Sequence, residues 1–276
     1  MDEAEDDIED YGIALGVDDT ANDDHDQAAI KVARAHERQK MEEFELGECI
    51  PIEELQDHKH LKARWVDDKR DNGWRCRYVA KEMRSVDPHM EGLFTPGSCG
   101  DVGRLIGIIG IKKNVFFLLG DATNAYWHVA EDELVACDSP PEMLEERRRK
   151  GLRTDVWLKL KKKHYGRRNA SAKHGLFVSG LLADIGCERC PRDPSFLRHV
   201  QKEFIIEIHQ DDIHITGPEA SLEWIKYMLG GNIPMKWLEV IKEGMRYSHL
   251  KRHRVLTKDG LWDLGNKKYP VEILRT

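Results

Sequence analysis

Three aspartates offer the clearest chemistry in this sequence, and two of them are adjacent. Asp211 and Asp212 stand between isoleucine-rich runs at 204–209 and 213–216, a pattern typical of two strands joined by a tight turn. The turn places both carboxylates at one tip, where they repel each other, and a divalent cation would relieve that repulsion. The simpler alternative is a solvated Asp-Asp turn without a bound ion.

A third acid follows an apolar run elsewhere in the chain. Residues 115–119 are hydrophobic and predict a strand buried on both faces, and Asp121 stands where that strand ends. If Asp121 converges on the adjacent pair, the three carboxylates could hold two metal ions, which suits in-line phosphoryl or nucleotidyl transfer. Asp121 could also cap a following helix, and the two roles are compatible.

The elements that would position these acids form a mixed pattern. Strands alternate with helices, and several strands are joined as antiparallel hairpins, which favours an α+β fold over a doubly wound sheet. A turn signal at Asp71-Asn72-Gly73 joins strands at 61–66 and 75–81, and Asp101 is placed to cap a helix over 102–113. Further strands are predicted at 155–160, 195–200, 203–209, 247–256 and 261–264, and further helices at 27–44, 140–150, 170–185 and 220–229.

The order of several short motifs resembles the reverse transcriptase domain of copia-type retrotransposons, from about residue 61 to about residue 273. That family carries its first catalytic acid in an Asp-x-x-Asn-Ala-aromatic motif, which matches 121–126. It carries the other two in Tyr-x-Asp-Asp-x-x-x-Thr-Gly, which matches 209–217 except at His209. Further matches in the same order are Trp65-Val66, Arg75-Cys76-Arg77-Tyr78-Val79-Ala80, Phe94-Thr95-Pro96, Tyr165-Gly166-Arg167-Arg168 and Asp193-Pro194.

The resemblance implies an RNA-directed DNA polymerase with a right-hand fold, made of fingers and a palm with an antiparallel sheet, and with a truncated thumb. It implies that Asp121, Asp211 and Asp212 bind Mg²⁺ or Mn²⁺ for nucleotidyl transfer to a primer 3′-hydroxyl. The implied partners are an RNA template, a DNA primer and deoxynucleoside triphosphates. Ribonuclease H and integrase regions are expected in the parent element but not in this chain. The alternative is a catalytically inactive retroelement remnant that at most binds nucleic acid.

The resemblance also implies contacts to the nucleotide from Arg77, Asn124, Ala125 and Tyr126. For Arg77 the alternative is a solvated strand face. Tyr126 would pack beneath the incoming sugar, and the alternative is an ordinary core aromatic beside a buried strand. Backbone N–H groups at 123–125 would face triphosphate oxygens, because a helix start favours anions.

A basic run with one aromatic residue is implied to contact the template–primer backbone. Its charges suit phosphate groups, and its aromatic side chain can stack on a base. The alternative is a surface run of charge without a ligand. The residues concerned are Lys161, Lys162, Lys163, Tyr165, Arg167 and Arg168.

The chain departs from the family in two regions. His209 stands where the family has tyrosine, and Gln210 replaces a small or apolar residue. Residues 169–174 lack the Pro-Arg-Ala-Trp-like pattern that helps to shape the nucleotide pocket in the family. We therefore expect the pocket of this chain to differ from that of the family.

Charge separates an acidic head from a basic body. Residues 1–57 contain 20 acidic and 4 basic residues, a net charge of −16, whereas the remaining residues have a net charge of +9. A basic body suits a protein that tracks phosphates, and the head is expected to be largely disordered with a possible helix. We therefore divide the chain into this head, fingers and palm at 58–230, and a partial palm–thumb connection at 231–276.

Membrane insertion and secretion are not expected from the sequence. No run of 18 apolar residues occurs, and the first residues are acidic instead of basic and apolar. The six cysteines are interpreted as reduced thiols of an intracellular protein, either cytoplasmic or nuclear. Cys187 and Cys190 have metal-like spacing, but no second pair completes a four-ligand zinc site.

Overall fold

The computed structural model describes residues 24–85, 88–95, 100–113, 115–250 and 252–264. The α-helices of these residues are α1 (Asp24–Glu43), α2 (Gly100–Lys113), α3 (Pro141–Arg149), α4 (Ala170–Asp184) and α5 (Glu219–Gly230), and 3₁₀ helices span Ile52–Glu54 and Ala125–His128. Their strands are β1 (Gly47–Pro51), β2 (Lys59–Leu61), β3 (Ala63–Arg70), β4 (Gly73–Ala80), β5 (Phe116–Ala122), β6 (Val135–Asp138), β7 (Val156–Leu160), β8 (Glu188–Arg189), β9 (Phe196–His199), β10 (Phe204–His209), β11 (Asp212–Gly217), β12 (Met235–Trp237), β13 (Arg246–His249), β14 (Arg252–Thr257) and β15 (Gly260–Leu264). Among the described residues, none of the helices combines the length and the apolar character needed to cross a lipid bilayer.

The described chain divides into two compact units, each built from separate stretches of sequence. The first unit comprises the described residues from 100 to 123 and from 179 to 264, and the second those from 24 to 95 and from 124 to 178. The division falls within α4. The segment limits predicted at residues 57 and 230 do not coincide with this division, and they stay predictions.

The first unit contains a six-stranded antiparallel sheet with the strand order β12-β5-β11-β10-β9-β8. Residues 117–120 of β5 are buried, as the apolar run predicts. Ile206 and Ile208 of β10 lie opposite Ile215 and Ile213 of β11, so these four isoleucines share one face of the sheet. A separate three-stranded sheet, β13-β14-β15, completes this unit. The mixed α+β class is therefore confirmed.

Within the first unit, helix α2 packs closely against β5 and β15 at two of its glycines. A Cβ atom on Gly110 would come within 2.3 Å of the Phe117 ring, and one on Gly107 within 2.9 Å of a Leu261 methyl group. Phe117 and Ile106 belong to one buried hydrophobic cluster. The missing side chains thus let the helix backbone pack against β5 and β15, although glycine weakens a helix.

The second unit has a four-stranded sheet, β1-β7-β6-β2, in which the β2–β6 pair is parallel and the other pairs are antiparallel. Strands β3 and β4 form a separate hairpin that turns at Asp71-Asn72, as predicted. Helix α1 packs on β4. The core of this unit includes Leu61, Tyr78, Trp127 and Leu158.

The acidic head is more regular than expected over its described part. Residues 24–57 contain α1, β1 and a short 3₁₀ helix, and Ile30, Met41 and Leu46 from this stretch are buried. Burial of these apolar side chains offsets the entropy that ordering the segment costs. The helix predicted at 27–44 is thus present as α1, whereas the expectation that the rest of the head is disordered is wrong for the described residues up to 57.

Two elements differ from prediction in their boundaries. The strand predicted at 247–256 is a hairpin of β13 and β14, in which Leu250 has a left-handed φ of 50°. Neither glycine nor asparagine marks this reversal in the sequence, so the local pattern does not show it. Helix α2 begins at Gly100, so Asp101 lies within the helix and not before it as its cap.

The cysteines of the described residues are free thiols. Burial raises the pKa of Cys187 to about 12, which disfavours the thiolate that a zinc site requires. Some predictions fall outside the described residues, namely those for residues 1–23, Pro96, Cys99 and residues 265–276.

Candidate active site

The three aspartates singled out in the sequence meet at one corner of the six-stranded sheet. Asp212 is the first residue of β11 and lies directly opposite Asp121 on β5. Asp211 occupies the turn before β11, and its carbonyl oxygen accepts a hydrogen bond from the Ala122 N–H at 3.0 Å. Antiparallel register therefore brings together acids that lie about ninety residues apart in the chain.

The tight turn between β10 and β11 determines how the adjacent acids differ. His209 and Asp212 are the last pair of the hairpin, so Gln210 and Asp211 form a two-residue turn. Gln210 has a left-handed φ of 57°, which a two-residue hairpin turn of this kind requires. Asp212 is thus held in the strand ladder and only Asp211 lies in the turn, so the expectation that the turn places both carboxylates at its tip is wrong for Asp212.

The surroundings of Asp212 disfavour the charged form of its carboxyl group. Burial, together with the neighbouring charges of Asp211 and Asp121, raises the pKa of the Asp212 carboxyl to about 7. Three carboxylates brought together in this way form a donor set that suits a hard divalent cation. Asp121 is part of a strand that continues to Ala122, and the 3₁₀ helix begins after Asn124, so Asp121 is not a helix cap.

Neighbours of the acids include residues that the sequence did not indicate. Lys236 of β12 lies opposite Asp121 on the side away from β11, and it is exposed. Gly120 is required beside Asp121 because a Cβ atom there would come within 2.4 Å of the Trp237 ring. Strand β12 has only three residues, and a strand this short shows no recognisable apolar pattern in the sequence. Burial lowers the pKa of His209, which favours a neutral imidazole at the position of the family's tyrosine.

Asn124 and Ala125 lie in the second unit at the start of the 3₁₀ helix. Asn124 has a left-handed φ of 51°, a conformation that asparagine tolerates better than most residues, and this explains its place in the motif. Ala125 is buried, so its side chain is not exposed to a ligand. The Thr123 N–H donates to the Pro234 carbonyl at 2.9 Å, which removes it from the predicted set of triphosphate donors.

The second unit contains a partly exposed group of two tyrosines and one arginine, namely Tyr126, Tyr165 and Arg77. The rings of Tyr126 and Tyr165 meet edge to face with centroids 5.3 Å apart, and the Arg77 guanidinium lies 4.6 Å from the centre of the Tyr165 ring. Tyr126 also approaches the buried His174 edge to face at 6.0 Å. Arg77 is therefore not on a purely solvated strand face, and Tyr126 packs at the edge of the core.

The structure corrects the prediction for two members of the basic run. The side chains of Lys163 and Arg167 are fully buried and cannot contact nucleic acid in this conformation. Lys163 pairs with Glu131, and Arg167 donates to Glu82 Oε1 at 2.6 Å and to Glu131 Oε2 at 3.0 Å. Charged side chains at these positions are retained inside because each is matched by carboxylates from distant parts of the chain.

The other members of the basic run lie nearer the surface. Lys161 is exposed and pairs with Glu48 at 2.8 Å, and Lys162 is half-buried. The backbone N–H of Arg168 donates to Glu82 Oε2 at 2.8 Å, and this residue is half-buried as well. Together with Tyr165 they are the part of the run that can still be proposed as a nucleic-acid contact.

The comparisons with known proteins give backbone similarities alone. No protein-family model and no curated protein match this chain. Among solved structures, it is similar to the foamy viral protease–reverse transcriptase in complex with double-stranded DNA, with a TM-score of 0.43, 13% identity, and coverage of 78% of this chain and 32% of that chain. It is also similar to telomerase from Candida albicans in complex with a TWJ fragment of telomeric RNA, with a TM-score of 0.49, 10% identity, and coverage of 83% and 49%. This chain therefore spans about a third to a half of the length of those structures.

Proposed function

We propose that this chain is the polymerase domain of a copia-type reverse transcriptase, which extends a DNA primer on an RNA template by nucleotidyl transfer. The observation that carries the proposal is the meeting of Asp121, Asp211 and Asp212 at one corner of an antiparallel sheet. The order of the other motifs along the sequence supports the same conclusion. On this proposal, the first unit supplies the palm and its catalytic acids.

The three aspartates would hold Mg²⁺ or Mn²⁺, because carboxylate oxygens are the ligands that these hard cations prefer. The repulsion that raises the pKa of Asp212 would be relieved when such an ion is held. Bound cations of this kind lower the pKa of the attacking primer 3′-hydroxyl and neutralise charge on the leaving pyrophosphate.

Other residues of the chain are proposed to position the acids and to contact the nucleotide. The hydrogen bond from the Ala122 N–H holds the hairpin turn against β5, so that Asp211 keeps its position beside Asp121. Arg77 is proposed to contact nucleotide phosphates, and Tyr126 to pack against the sugar. Asn124 and Ala125 would contribute through the backbone around the left-handed residue.

Template and primer would be held by the accessible part of the basic run. Lys161, Lys162 and Arg168 would contact phosphates, and Tyr165 would stack on a base or a sugar. Lys163 and Arg167 are left out of this surface because their charges are matched inside the second unit.

Primer extension on an RNA template tests the catalytic assignment. We expect Asp211→Asn and Asp212→Asn each to lower extension at least about 100-fold, because metal ions contribute several kcal/mol to such reactions. Asp259→Asn is the matched control, since Asp259 is an exposed acid at the tip of the β14–β15 hairpin. This variant should extend primers at the wild-type rate, and thermal melting should show that all three variants are folded.

The outcomes separate polymerase activity from mere binding. Wild-type extension by the Asp211→Asn variant would contradict the role of the carboxylates. If the wild-type chain binds an RNA–DNA duplex in a salt-dependent way but extends nothing with either Mg²⁺ or Mn²⁺, the chain is an inactive binder, an alternative that the replacement of the family's tyrosine by His209 favours.

A further inference from the structure

A second group of metal-ligand side chains lies inside the first unit, apart from the three aspartates. Glu207 on β10, His214 on β11 and His249 at the end of β13 are all buried, with side-chain exposures of 1%, 0% and 4%. A carboxylate and two imidazoles are the ligands that borderline divalent cations such as Zn²⁺ prefer, whereas Mg²⁺ prefers oxygen alone.

The register of the sheets brings these three residues together. Glu207 and His214 lie directly opposite each other in the β10–β11 hairpin, so their side chains project from the same face. His249 comes from the three-stranded sheet, and its ring lies 4.7 Å from that of His214. Helix α2 covers the group at Gly103, where a Cβ atom would stand 3.5 Å from both carboxylate oxygens of Glu207.

The spacing of the donor atoms suits tetrahedral coordination. Glu207 Oε2 lies 3.2 Å from His214 Nδ1 and 3.6 Å from His249 Nε2. Ligand atoms held at about 2.0–2.2 Å from a tetrahedral Zn²⁺ are separated by about 3.3–3.6 Å. The donors could therefore take up a cation with small adjustments of their side chains.

Unsatisfied polar atoms in this group give an independent reason to expect a ligand. Among the described residues, Glu207 Oε1 and His249 Nε2 are buried without a hydrogen-bond partner. Burying such atoms without a partner costs free energy, and a coordinated cation would satisfy His249 Nε2 directly and Glu207 Oε1 if the carboxylate binds through both oxygens. The second ring nitrogen of His214 also lacks a partner, and a cation on Nδ1 would leave it so.

The competing explanation is a polar network without a metal ion. Arg254 is buried near Glu207, since the same Gly103 Cβ position would lie 3.7 Å from its guanidinium. Its Nε donates to Asp263 Oδ1 at 2.9 Å, so a carboxylate other than Glu207 balances part of its charge. The polar contacts of Glu207 Oε2 are instead with the two imidazoles, His214 and His249.

We propose that Glu207, His214 and His249 bind one Zn²⁺-type cation, which ties the β10–β11 hairpin to the β13–β14 hairpin. Three protein ligands leave the fourth tetrahedral position to a water molecule. The role of the ion would be to stabilise the fold, because its ligands are buried and come from two different sheets. It would stabilise the hairpin that carries Asp211 and Asp212 without taking part in their chemistry.

The test uses the full chain, stripped with a chelator and then titrated with ZnCl₂ or CoCl₂ alone. We expect one equivalent to bind, the melting temperature to rise, and the Co²⁺ spectrum to show d–d bands of nitrogen and oxygen ligands without thiolate charge-transfer bands. The His249→Gln and Glu207→Gln variants should lose this equivalent. The matched control is His253→Gln, because His253 is an exposed histidine on β14 that should not affect binding.

Asp211→Asn separates this proposal from the proposed function, because it should still bind Zn²⁺ whether or not it extends primers. The proposal is overturned if the stripped wild-type chain binds no Co²⁺ or if its spectrum shows thiolate ligands. It is equally overturned if folded His249→Gln and Glu207→Gln variants retain the bound equivalent. If both variants fail to fold, the Co²⁺ spectrum of the Asp211→Asn chain decides the question: nitrogen-ligand d–d bands support the proposal, and their absence overturns it.

Discussion

Asp212 combines a position in the strand ladder with an unfavourable charge. Its neighbours Asp211 and Asp121 are both acids, and burial adds to their effect on its pKa. A buried carboxylate beside two other acids destabilises the fold, and proteins tolerate this where a site binds a cation or transfers a proton. The same cost makes the residue testable without any substrate.

Asp212→Asn should stabilise the cation-free protein at high pH. The pKa of Asp212 is raised from 3.8 to about 7 in the folded protein, so the fold favours the protonated carboxyl and ionisation opposes folding. The gain should be absent below pH 4, grow as the pH rises to 7, and stay constant above it, at about 2 kcal/mol after allowance for partial exposure.

Urea unfolding in EDTA at pH 4, 6 and 8 measures this gain. Asp259→Asn should show no comparable pH dependence, because that carboxyl is exposed in a hairpin turn. Addition of Mg²⁺ at pH 8 should reduce the advantage of the asparagine variant. A gain that is equal at all three pH values would contradict the electrostatic interpretation.

At the scale of elements, the close approach of α2 to the sheet links the two sheets of the first unit. Its glycines face Phe117, Leu261 and Glu207 in turn, so the helix covers both the hydrophobic cluster and the carboxylate of Glu207. A Cβ atom would stand closer than 3.0 Å to another side chain at Gly110 and at Gly107, whereas at Gly103 it would make ordinary van der Waals contact. Glycine at the two closer positions is determined by space and not by backbone conformation.

Gly110→Ala should destabilise the protein by about 2 kcal/mol, because the new methyl group would collide with the buried Phe117 ring. Gly180→Ala is the matched control in α4, since nothing lies within 4 Å of its Cβ position. That change should stabilise the protein by about 0.5–1 kcal/mol through higher helix propensity. Urea unfolding of both variants measures the difference, and equal effects of the same sign would show that α2 does not pack as closely as described.

At the scale of the whole molecule, charge is segregated along the chain. Residues 1–23 contain ten acidic and no basic residues, and they account for more than the entire net charge of −7. Lys163 and Arg167 contribute nothing to an external basic surface, because their charges are matched inside the second unit. The N-terminal acids therefore weigh more heavily against nucleic-acid binding than the sequence total suggests.

Replacing the ten acids of residues 1–23 with asparagine and glutamine should raise nucleic-acid affinity several-fold at low salt. The change shifts the net charge from −7 to +3 while the chain keeps its length. Fluorescence anisotropy with an RNA–DNA duplex measures the effect, which should fade as salt shortens the range of the electrostatic repulsion. An unchanged affinity at low salt would show that these acids do not oppose binding.

Local pattern was sufficient for the elements that carry the acids. The β-branched runs on either side of the two adjacent acids and the apolar strand before Asp121 are short-range signals. The structure then placed the turn at 210–211, and strand pairing placed Asp121 opposite Asp212. The sequence by itself thus determined the mixed α+β class, most strands and helices, and the three candidate metal ligands.

Only the tertiary structure decided which charged residues are buried and which are accessible to a ligand. The partners of Arg167 lie as far away as Glu82, and the Glu207–His214–His249 group depends on two sheets meeting beneath α2. The reversal at Leu250 and the short strand that carries Lys236 also have no local signal. The physical reason is that burial and pairing depend on contacts between distant segments, which composition and periodicity within a short window do not specify.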